Sequence, residues 1–383
     1  MSQPMRIAML AGEMSGDSLG AGLIGAIKRR VPNAVFEGIG GPQMIAVGFD
    51  SLADQERLAV MGFVEPLKRL PELLRIRRRI CQHFLANPPD VFLGIDSPGF
   101  NITLERKLKE AGIKTAHYVS PQIWAWRQQR VHKIAKSVNL MLSLFPFEAK
   151  FYQDHDVPVA YVGHYLADRI PLEPDREAAR QALDVVPDTR MIALLPGSRA
   201  NEVALLTSEF IRTAEWCLQR NTRLEFMIPA ANPARFAQIA ALLEKSPSLP
   251  IRLVQGRAHE VMCAADAVLL ASGTTTLEAL LLKRPMVVAY KFPALSYAIY
   301  SRLLQIPHVA LPNILAGCEL VPEFLQEEVT PSRLGEQLMA YLENPTKVTK
   351  LQQEFLTIHK ILRQDADERA ADAILSLVNR NRT

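Results

Sequence analysis

The chain has 383 residues, enough for two domains of ordinary size, and its 49% apolar and 22% charged residues exclude a disordered or fibrous protein. A net charge of +4 is too weak to announce nucleic acid as a partner, though it suits an anionic substrate or membrane surface. No apolar run approaches the roughly 18 residues of a membrane-spanning helix, and the opening MSQPMRIAMLAGE has no long apolar segment ending in a cleavage site, so a cytoplasmic protein is expected.

From the N-terminus, short runs rich in Val, Ile and Leu predict strands over 7–11, 35–39, 91–95, 115–119 and 140–144, with amphipathic helical segments between them. A second series follows at 191–195, 224–228, 251–254, 267–270, 286–289 and 308–310. Alternation of strand and helix implies parallel sheets with helices on both faces. Between the series Pro171 and Pro174 break the pattern and Asp175 reads as a helix N-cap. From about residue 331 the pattern is all helical. The expected organisation is an N-terminal domain over 1–168, a second domain over 169–345, and a helical tail over 346–383 that returns to the first domain or to a neighbouring chain. The cysteines, Cys81, Cys217, Cys263 and Cys318, have neither metal-ligand nor disulfide-framework spacing and are expected to be buried, structural thiols.

In parallel-sheet proteins ligands sit beyond the carboxyl ends of the strands, where helix N-termini point, so the candidates lie in the loops that follow strands. AGEMSGDSLGAGL follows the first strand; its glycines are not spaced as GxGxxG, and VFEGIGGPQM ends in glycines rather than an acidic residue, which argues against a dinucleotide. The segment is either a structural turn or a substrate-binding turn using Ser15 and Asp17. GIDSPGFN puts Asp96 at the mouth of the buried run 91–95, as a cap for a helix starting near Phe100 or as a reagent. YVSPQIWAWRQQRV, with Trp124, Trp126 and Arg127, is core packing or a substrate wall. His117 and His164, each near a strand end, are structural or catalytic.

In the second series, LLPGSRANEV sets Ser198 and Arg199 at a strand exit, before a helix capped by Ser198 or Asn201; the guanidinium fork of Arg199 matches phosphate. In ASGTTTLEA, Ser272, Gly273, Thr274 and Thr275 open a helix whose first N–H groups form an anion cradle. Glu278, one turn later, is placed to accept two hydrogen bonds from the hydroxyls of a ribose, or to complete a capping box. Together these two segments describe a nucleotide-diphosphate site. No DxD pair ends a strand, so neither a metal nor a cofactor is expected; QDADE near Asp365 reads as solvated surface. Residues 62–80, GFVEPLKRLPELLRIRRRI, carry Phe63, Val64, Leu67, Leu70 and Leu74 among Lys68, Arg69, Arg75, Arg77, Arg78 and Arg79, with only Glu65 and Glu72 opposing them. A core helix would show the same apolar stripe, but the six cations favour contact with an anionic membrane. Pro71 is expected to kink that helix or start a new one.

Taken together, AGEMSGDSLGAGLI, GIDSPGFN, HYVSPQIWAWRQQRV, LLPGSR, ASGTTTLEA and LPNILAG resemble the lipid-A-disaccharide synthase family of GT-B glycosyltransferases over essentially the whole chain. The resemblance implies a GT-B fold, two Rossmann-like parallel-sheet domains facing a cleft, with a C-terminal helical tail. It implies inverting transfer of 2,3-diacylglucosamine from its UDP ester onto 2,3-diacylglucosamine 1-phosphate, giving the β-1,6-linked disaccharide 1-phosphate of lipid A biosynthesis. By the same resemblance Asp96 matches the essential aspartate, and Arg199, Glu278 and Asn313 fall on UDP-binding positions. Ser15, Asp17, Trp126 and Arg127 are the candidates for the acceptor end, and the uracil is expected near residues 256–258. Peripheral attachment to the inner face of the inner membrane and a homodimer formed through the C-terminal helices are further expectations. The rivals are another UDP-sugar enzyme of this fold, an N-acetylglucosaminyltransferase or an epimerase, and a catalytically silent, membrane-associated UDP-binding scaffold.

Overall fold

The computed structural model describes residues 4–58, 65–292 and 307–379. The chain divides into two compact units, Met1–Asp168 with Leu362–Thr383, and Arg169–Ile361. Each is built on one parallel sheet.

The first unit contains β1 (Arg6–Ala11), β2 (Val35–Ile39), β3 (Asp50–Ser51), β4 (Val91–Ile95), β5 (Thr115–Tyr118), β6 (Leu140–Ser143) and β7 (Val159–Tyr161), in the order β3-β2-β1-β4-β5-β6-β7. All five residues of β4 are buried, and Ile7 through Ala11 of β1 pair in register with Val91 through Ile95. Ala8, Leu10 and Phe92 meet Ile76, Ile80, Phe84, Leu104 and Leu108 in one cluster, so the helices Glu65–Ala86 and Pro98–Glu110 cover that face. Side chains alternate along a strand, which sends Ile7, Met9 and Leu93, all fully buried, to the other face. There the helix Met14–Arg30 runs against the last helix, Ala366–Asn379. Each such apolar side chain contributes about 1.5–3 kcal/mol by burial.

The last helix is capped by Asp168, whose carboxylate accepts hydrogen bonds from the N–H groups of Gln364 (3.0 Å), Asp365 (3.0 Å) and Ala366 (2.7 Å). Arg29 and Arg30 pair with Glu368, and Arg30 also reaches Asp372 at 3.0 Å. The tail is divided: Pro331–Glu343 and nearly all of Pro345–Leu362 belong to the second unit, while Ala366–Asn379 belongs to the first.

The second unit contains β8 (Arg190–Leu195), β9 (Leu224–Ala230), β10 (Ile251–Gln255), β11 (Ala267–Ala271), β12 (Met286–Tyr290) and β13 (Glu323–Leu325), in the order β10-β9-β8-β11-β12-β13. Asp175 does cap its helix, accepting from Ala178 N at 2.9 Å. The strand expected over 308–310 is absent. The N–H groups of Val309 and Ala310 donate instead to the Glu323 carboxylate at 2.9 and 3.0 Å, which ends any ladder and starts the helix Leu311–Ala316. The edge strands β3, β7 and β13 escape sequence reading because two or three residues are too few to show a period. Cys81, Cys217 and Cys263 are buried, but Cys318 is exposed, contrary to expectation. No helix among the described residues is long and apolar enough to cross a membrane.

Asp17, expected in a substrate-binding turn, is a structural residue. It is 1% exposed, and its carboxylate accepts from Gly41 N (2.9 Å), Gln43 N (2.9 Å) and Met44 N (3.0 Å), capping the short helix Pro42–Ala46. Removing it leaves three donors, two of them buried, without an acceptor. Asp17→Ala is therefore expected to lower unfolding free energy by about 1–3 kcal/mol or more, measured by urea denaturation; an unchanged midpoint would refute the capping role.

Candidate active site

In both sheets the strand order reverses beside the first strand of the unit, between β1 and β4 and again between β8 and β11. At such a point neighbouring loops leave for helices on opposite faces, opening a crevice at the carboxyl ends of the strands. Asp96, Ser15, Ser198, Arg199 and Ser272 through Thr275 fall on or just beyond these four loops, whereas Trp126 and Arg127 follow β5, the 256–258 turn follows β10, and Asn313 lies in the helix Leu311–Ala316.

In the first unit the loop after β1 presents Glu13, Met14 and Ser15 to solvent, with Met14 80% exposed. The loop after β4 holds Asp96, which is half-buried. The two loops touch: a Cβ on Gly12 would lie 2.1 Å from Ser97 Oγ, so only glycine fits there. Asp96 (φ 55°) and Ser97 (φ 46°) are both left-handed, an unusual state for side-chain-bearing residues. The helix beyond them starts at Pro98, not near Phe100, and Asp96 does not cap it. One carboxylate oxygen of Asp96 accepts from Ser97 N at 2.7 Å; the other has no partner among the described residues.

Beyond β5, Trp126 is half-buried with the exposed Arg127 guanidinium 4.1 Å from its ring centroid. Trp124 packs edge-on against Phe147 at 4.7 Å, and Phe147 stacks on Phe145 at 5.5 Å. Trp124, Trp126 and Phe147 are partly exposed, and Phe145 is buried. Beneath them Glu148 accepts from Leu144 N and Phe145 N, both at 3.2 Å, and burial pushes its pKa up to about 8. His164 is also buried, its pKa depressed by desolvation to about 3, and it stacks on Tyr165 at 5.0 Å. The imidazole Nδ1 accepts from Leu166 N at 3.2 Å. His117 is wholly buried against Glu105 at 2.7 Å.

In the second unit Arg199 is 76% exposed, and Ser198 beside it is exposed as well. Neither Ser198 nor Asn201 caps the helix Ala200–Leu218; Glu202, missed in the sequence, accepts from Ser198 N (3.3 Å) and Arg199 N (3.2 Å) and holds the Arg199 guanidinium at 3.2 Å. Gly197 (φ 113°) gives Glu202 room, since a Cβ there would lie 2.5 Å from its Oε2. Across the reversal point, Ser272, Gly273, Thr274 and Thr275 begin the helix Thr274–Leu281, and the N–H groups of Thr274 and Thr275 meet no acceptor among the described residues. Glu278 makes no capping box: no hydrogen bond or ion pair reaches its carboxylate among the described residues, and burial raises its pKa. Gly256 (φ 66°) and Arg257 (φ 59°) turn the chain after β10, where Arg257 is held by Glu260 at 2.5 Å.

Asn313 corrects the expectation of a ligand contact. It is 0% exposed. Its Nδ2 donates to Val321 O (2.8 Å) and Glu323 Oε1 (2.6 Å), and its Oδ1 accepts from Leu320 N and Val321 N, both at 2.8 Å, so the amide is fully committed to shaping its own loop. Its partner Glu323 was legible only as one acidic residue among many.

On the basic helix, Phe63 and Val64, and the side chains of Leu67 and Lys68, lie outside the described residues. Glu65–Ala86 runs as one helix with Pro71 inside it. Leu70 and Leu74 are 46% and 45% exposed, and Arg75, Arg78 and Arg79 are exposed beside them. Arg69 is partly buried and tied to Glu72 at 3.4 Å. Among the described residues no group of three or more His, Cys, Asp or Glu side chains could hold a metal ion.

Two parallel-sheet units with loops of this kind at each reversal point define the GT-B fold. Solved structures agree on the fold: UDP-GlcNAc 2-epimerase from Neisseria meningitidis bound to UDP-GlcNAc superposes with a TM-score of 0.65 at 12% identity over 98% of this chain and 100% of that one. WaaG, a glycosyltransferase involved in lipopolysaccharide biosynthesis, gives 0.56 at 12% identity, over 97% and 99%. The family model described as lipid-A-disaccharide synthetase matches residues 7–376. The lipid-A-disaccharide synthase of Cellvibrio japonicus (strain Ueda107) is 54% identical over 99% of this chain and 98% of its own length; that of Pseudomonas aeruginosa (strain UCBPP-PA14) is 50% identical over 99% and 100%. The chain belongs to the lipid-A-disaccharide synthase family, and is a glycosyltransferase of lipid A synthesis.

The raised Glu148 pKa generates a pH dependence. A carboxyl that keeps its proton in the folded state but loses it on unfolding contributes its stability below the ordinary value of 4.5, and that contribution is lost as pH rises through about 8. Glu148→Gln should hold a flatter melting temperature between about pH 5 and about pH 9, with its advantage over the wild type growing toward the alkaline end; parallel profiles by calorimetry would show that Glu148 titrates normally.

Proposed function

We propose that the chain transfers 2,3-diacylglucosamine from its UDP ester to 2,3-diacylglucosamine 1-phosphate with inversion, with Asp96 as the base. The observation that carries this reading is Asp96 itself, a half-exposed carboxylate at the reversal point of the first sheet, with one oxygen unpartnered among the described residues. Asp96 takes the proton from the acceptor hydroxyl as its oxygen attacks the anomeric carbon. The bond from that carbon to the UDP oxygen breaks, and its electron pair leaves with the diphosphate. The second unit is the UDP-binding one: the Thr274 and Thr275 N–H groups and the Arg199 guanidinium suit the charge that develops on the leaving group. Ser198, Ser272 and Gly273 line the same loops, and Glu278, unpaired among the described residues, suits the ribose hydroxyls. Ser15, Trp126 and Arg127 are proposed for the acceptor end on the first unit, where a guanidinium suits a sugar phosphate.

The acylated substrates imply a lipid surface, and exposed Leu70 and Leu74 beside Arg75, Arg78 and Arg79 suit the inner face of the inner membrane. A homodimer through the C-terminal helices is proposed as well, since exchange of the segment after Asp168's cap would keep the Glu368 pairs between two copies.

Two experiments test this reading. UDP release from UDP-2,3-diacylglucosamine in detergent micelles should require the acceptor, and Asp96→Asn should cut turnover by roughly 10²–10⁴-fold while UDP still binds; near-normal turnover by the variant would place the base elsewhere. Binding to vesicles of anionic phospholipid should weaken by about fivefold for each cation removed among Arg75, Arg78 and Arg79, as read by co-sedimentation, and equal binding by the triple alanine variant would remove the helix from the membrane surface.

A further inference from the structure

The helix that follows Asp96 carries two polar residues on its buried face, Asn101 and Glu105, both 0% exposed. A core helix gains nothing from such residues unless they are used, because a buried polar group costs free energy where its partners are incomplete. Here they are incomplete. Asn101 Oδ1, Glu105 Oε2 and His117 Nε2 are buried without a hydrogen-bond partner among the described residues.

The remaining atoms of Asn101 are specific in their targets. Nδ2 lies 2.8 Å from Asp96 O, 3.4 Å from Ile95 O and 3.3 Å from Leu10 O. One amide thus gathers the last carbonyl of β4, that of Asp96 just beyond it, and a carbonyl of β1. These are the two strands that flank the reversal point. The shortest of the three contacts is to Asp96, in the left-handed pair Asp96–Ser97. That turn is strained for residues with side chains, so its geometry must be held from outside.

One helical turn later Glu105 binds His117 of β5 at 2.7 Å, and desolvation raises the Glu105 pKa. Gly94 makes both contacts sterically possible: a Cβ there would lie 2.1 Å from Glu105 Oε1 and 2.8 Å from Asn101 Cβ. Asn101 and Glu105 therefore fasten one helix face to three adjacent strands directly behind Asp96.

We propose that Asn101 is a positioning residue for the reaction: its amide fixes the Asp96 carbonyl and with it the left-handed turn that aims the Asp96 carboxylate, while the Glu105–His117 pair clamps the helix that carries it. This rests on the reading of Asp96 as the base.

The test measures kcat, KM for donor and acceptor, UDP affinity and melting temperature in the full-length enzyme, for Asn101→Leu, Asn101→Ser and Asp96→Asn. Leucine keeps the branched outline, with greater volume, and removes the donor, and serine keeps one donor. A misaimed base predicts a kcat loss of roughly tenfold to a hundredfold in Asn101→Leu, with both KM values and UDP affinity within about twofold of wild type, and a smaller kcat loss in Asn101→Ser. Wild-type kcat in either folded variant overturns the proposal, as does a fall of kcat that is matched by equal changes in KM and UDP affinity. If the leucine variant does not fold, the serine variant alone decides by the same split. Near-normal turnover by Asp96→Asn would instead sink the base assignment, and the proposal with it, in an arm separate from the Asn101 result.

Discussion

A parallel sheet cannot close its carboxyl edge by hairpins, so every strand delivers its loop to the same end, and a crevice opens only where the strand order reverses. The rest of this protein depends on that constraint. It is met twice, at β1/β4 and at β8/β11. Because both reversals lie at central strands with wholly or nearly wholly buried residues, the loops that leave them are anchored by the stiffest part of each unit. Reactive side chains on such loops inherit that rigidity.

What separates a structural carboxylate from an available one at these edges is how many N–H donors it already holds. Asp17 and Asp168 each accept from three backbone donors, Glu202 and Glu323 each from two with a further side-chain contact. Each of them shapes a loop and has little capacity left for a ligand. Asp96 accepts from a single neighbouring N–H, and Glu278 from no donor among the described residues. Glycines complete the arrangement by absence: Gly12, Gly94 and Gly197 each stand where a Cβ would collide with a polar side chain of the adjoining loop or helix. The loops of each unit are thus shaped by small residues that admit polar ones and by wholly or partly buried acids that hold loop N–H groups.

Asp96 shows why the loop after β4 differs from an ordinary strand-to-helix turn. Its own helix is not capped by it, and two consecutive left-handed residues separate strand from helix. Such a turn is unfavourable in isolation, and the buried amide of Asn101 is the feature that ties it to both central strands.

The sequence by itself determined the alternation of buried strands and amphipathic helices, hence two parallel-sheet units, and the loops on which the chemistry would fall, because five-residue apolar runs and glycine-rich exits are local signals. It also carried the six motifs whose joint presence marks the family. Only the tertiary structure decided which polar residues in those motifs are available. Asp17 and Asn313 read like ligand contacts because their sequence neighbourhoods hold strand exits, but their hydrogen-bond partners come from segments 24–27 and 7–10 residues away, and no local pattern records them. Glu323 and Asn101 were overlooked for the same reason, whereas the donors of Glu202 lie only three and four residues before it, a local capping signal passed over in favour of Ser198 and Asn201. An acid or amide on a helix or edge strand looks ordinary in a sequence, and its role exists only once the fold brings backbone donors and carbonyls within about 3 Å of it.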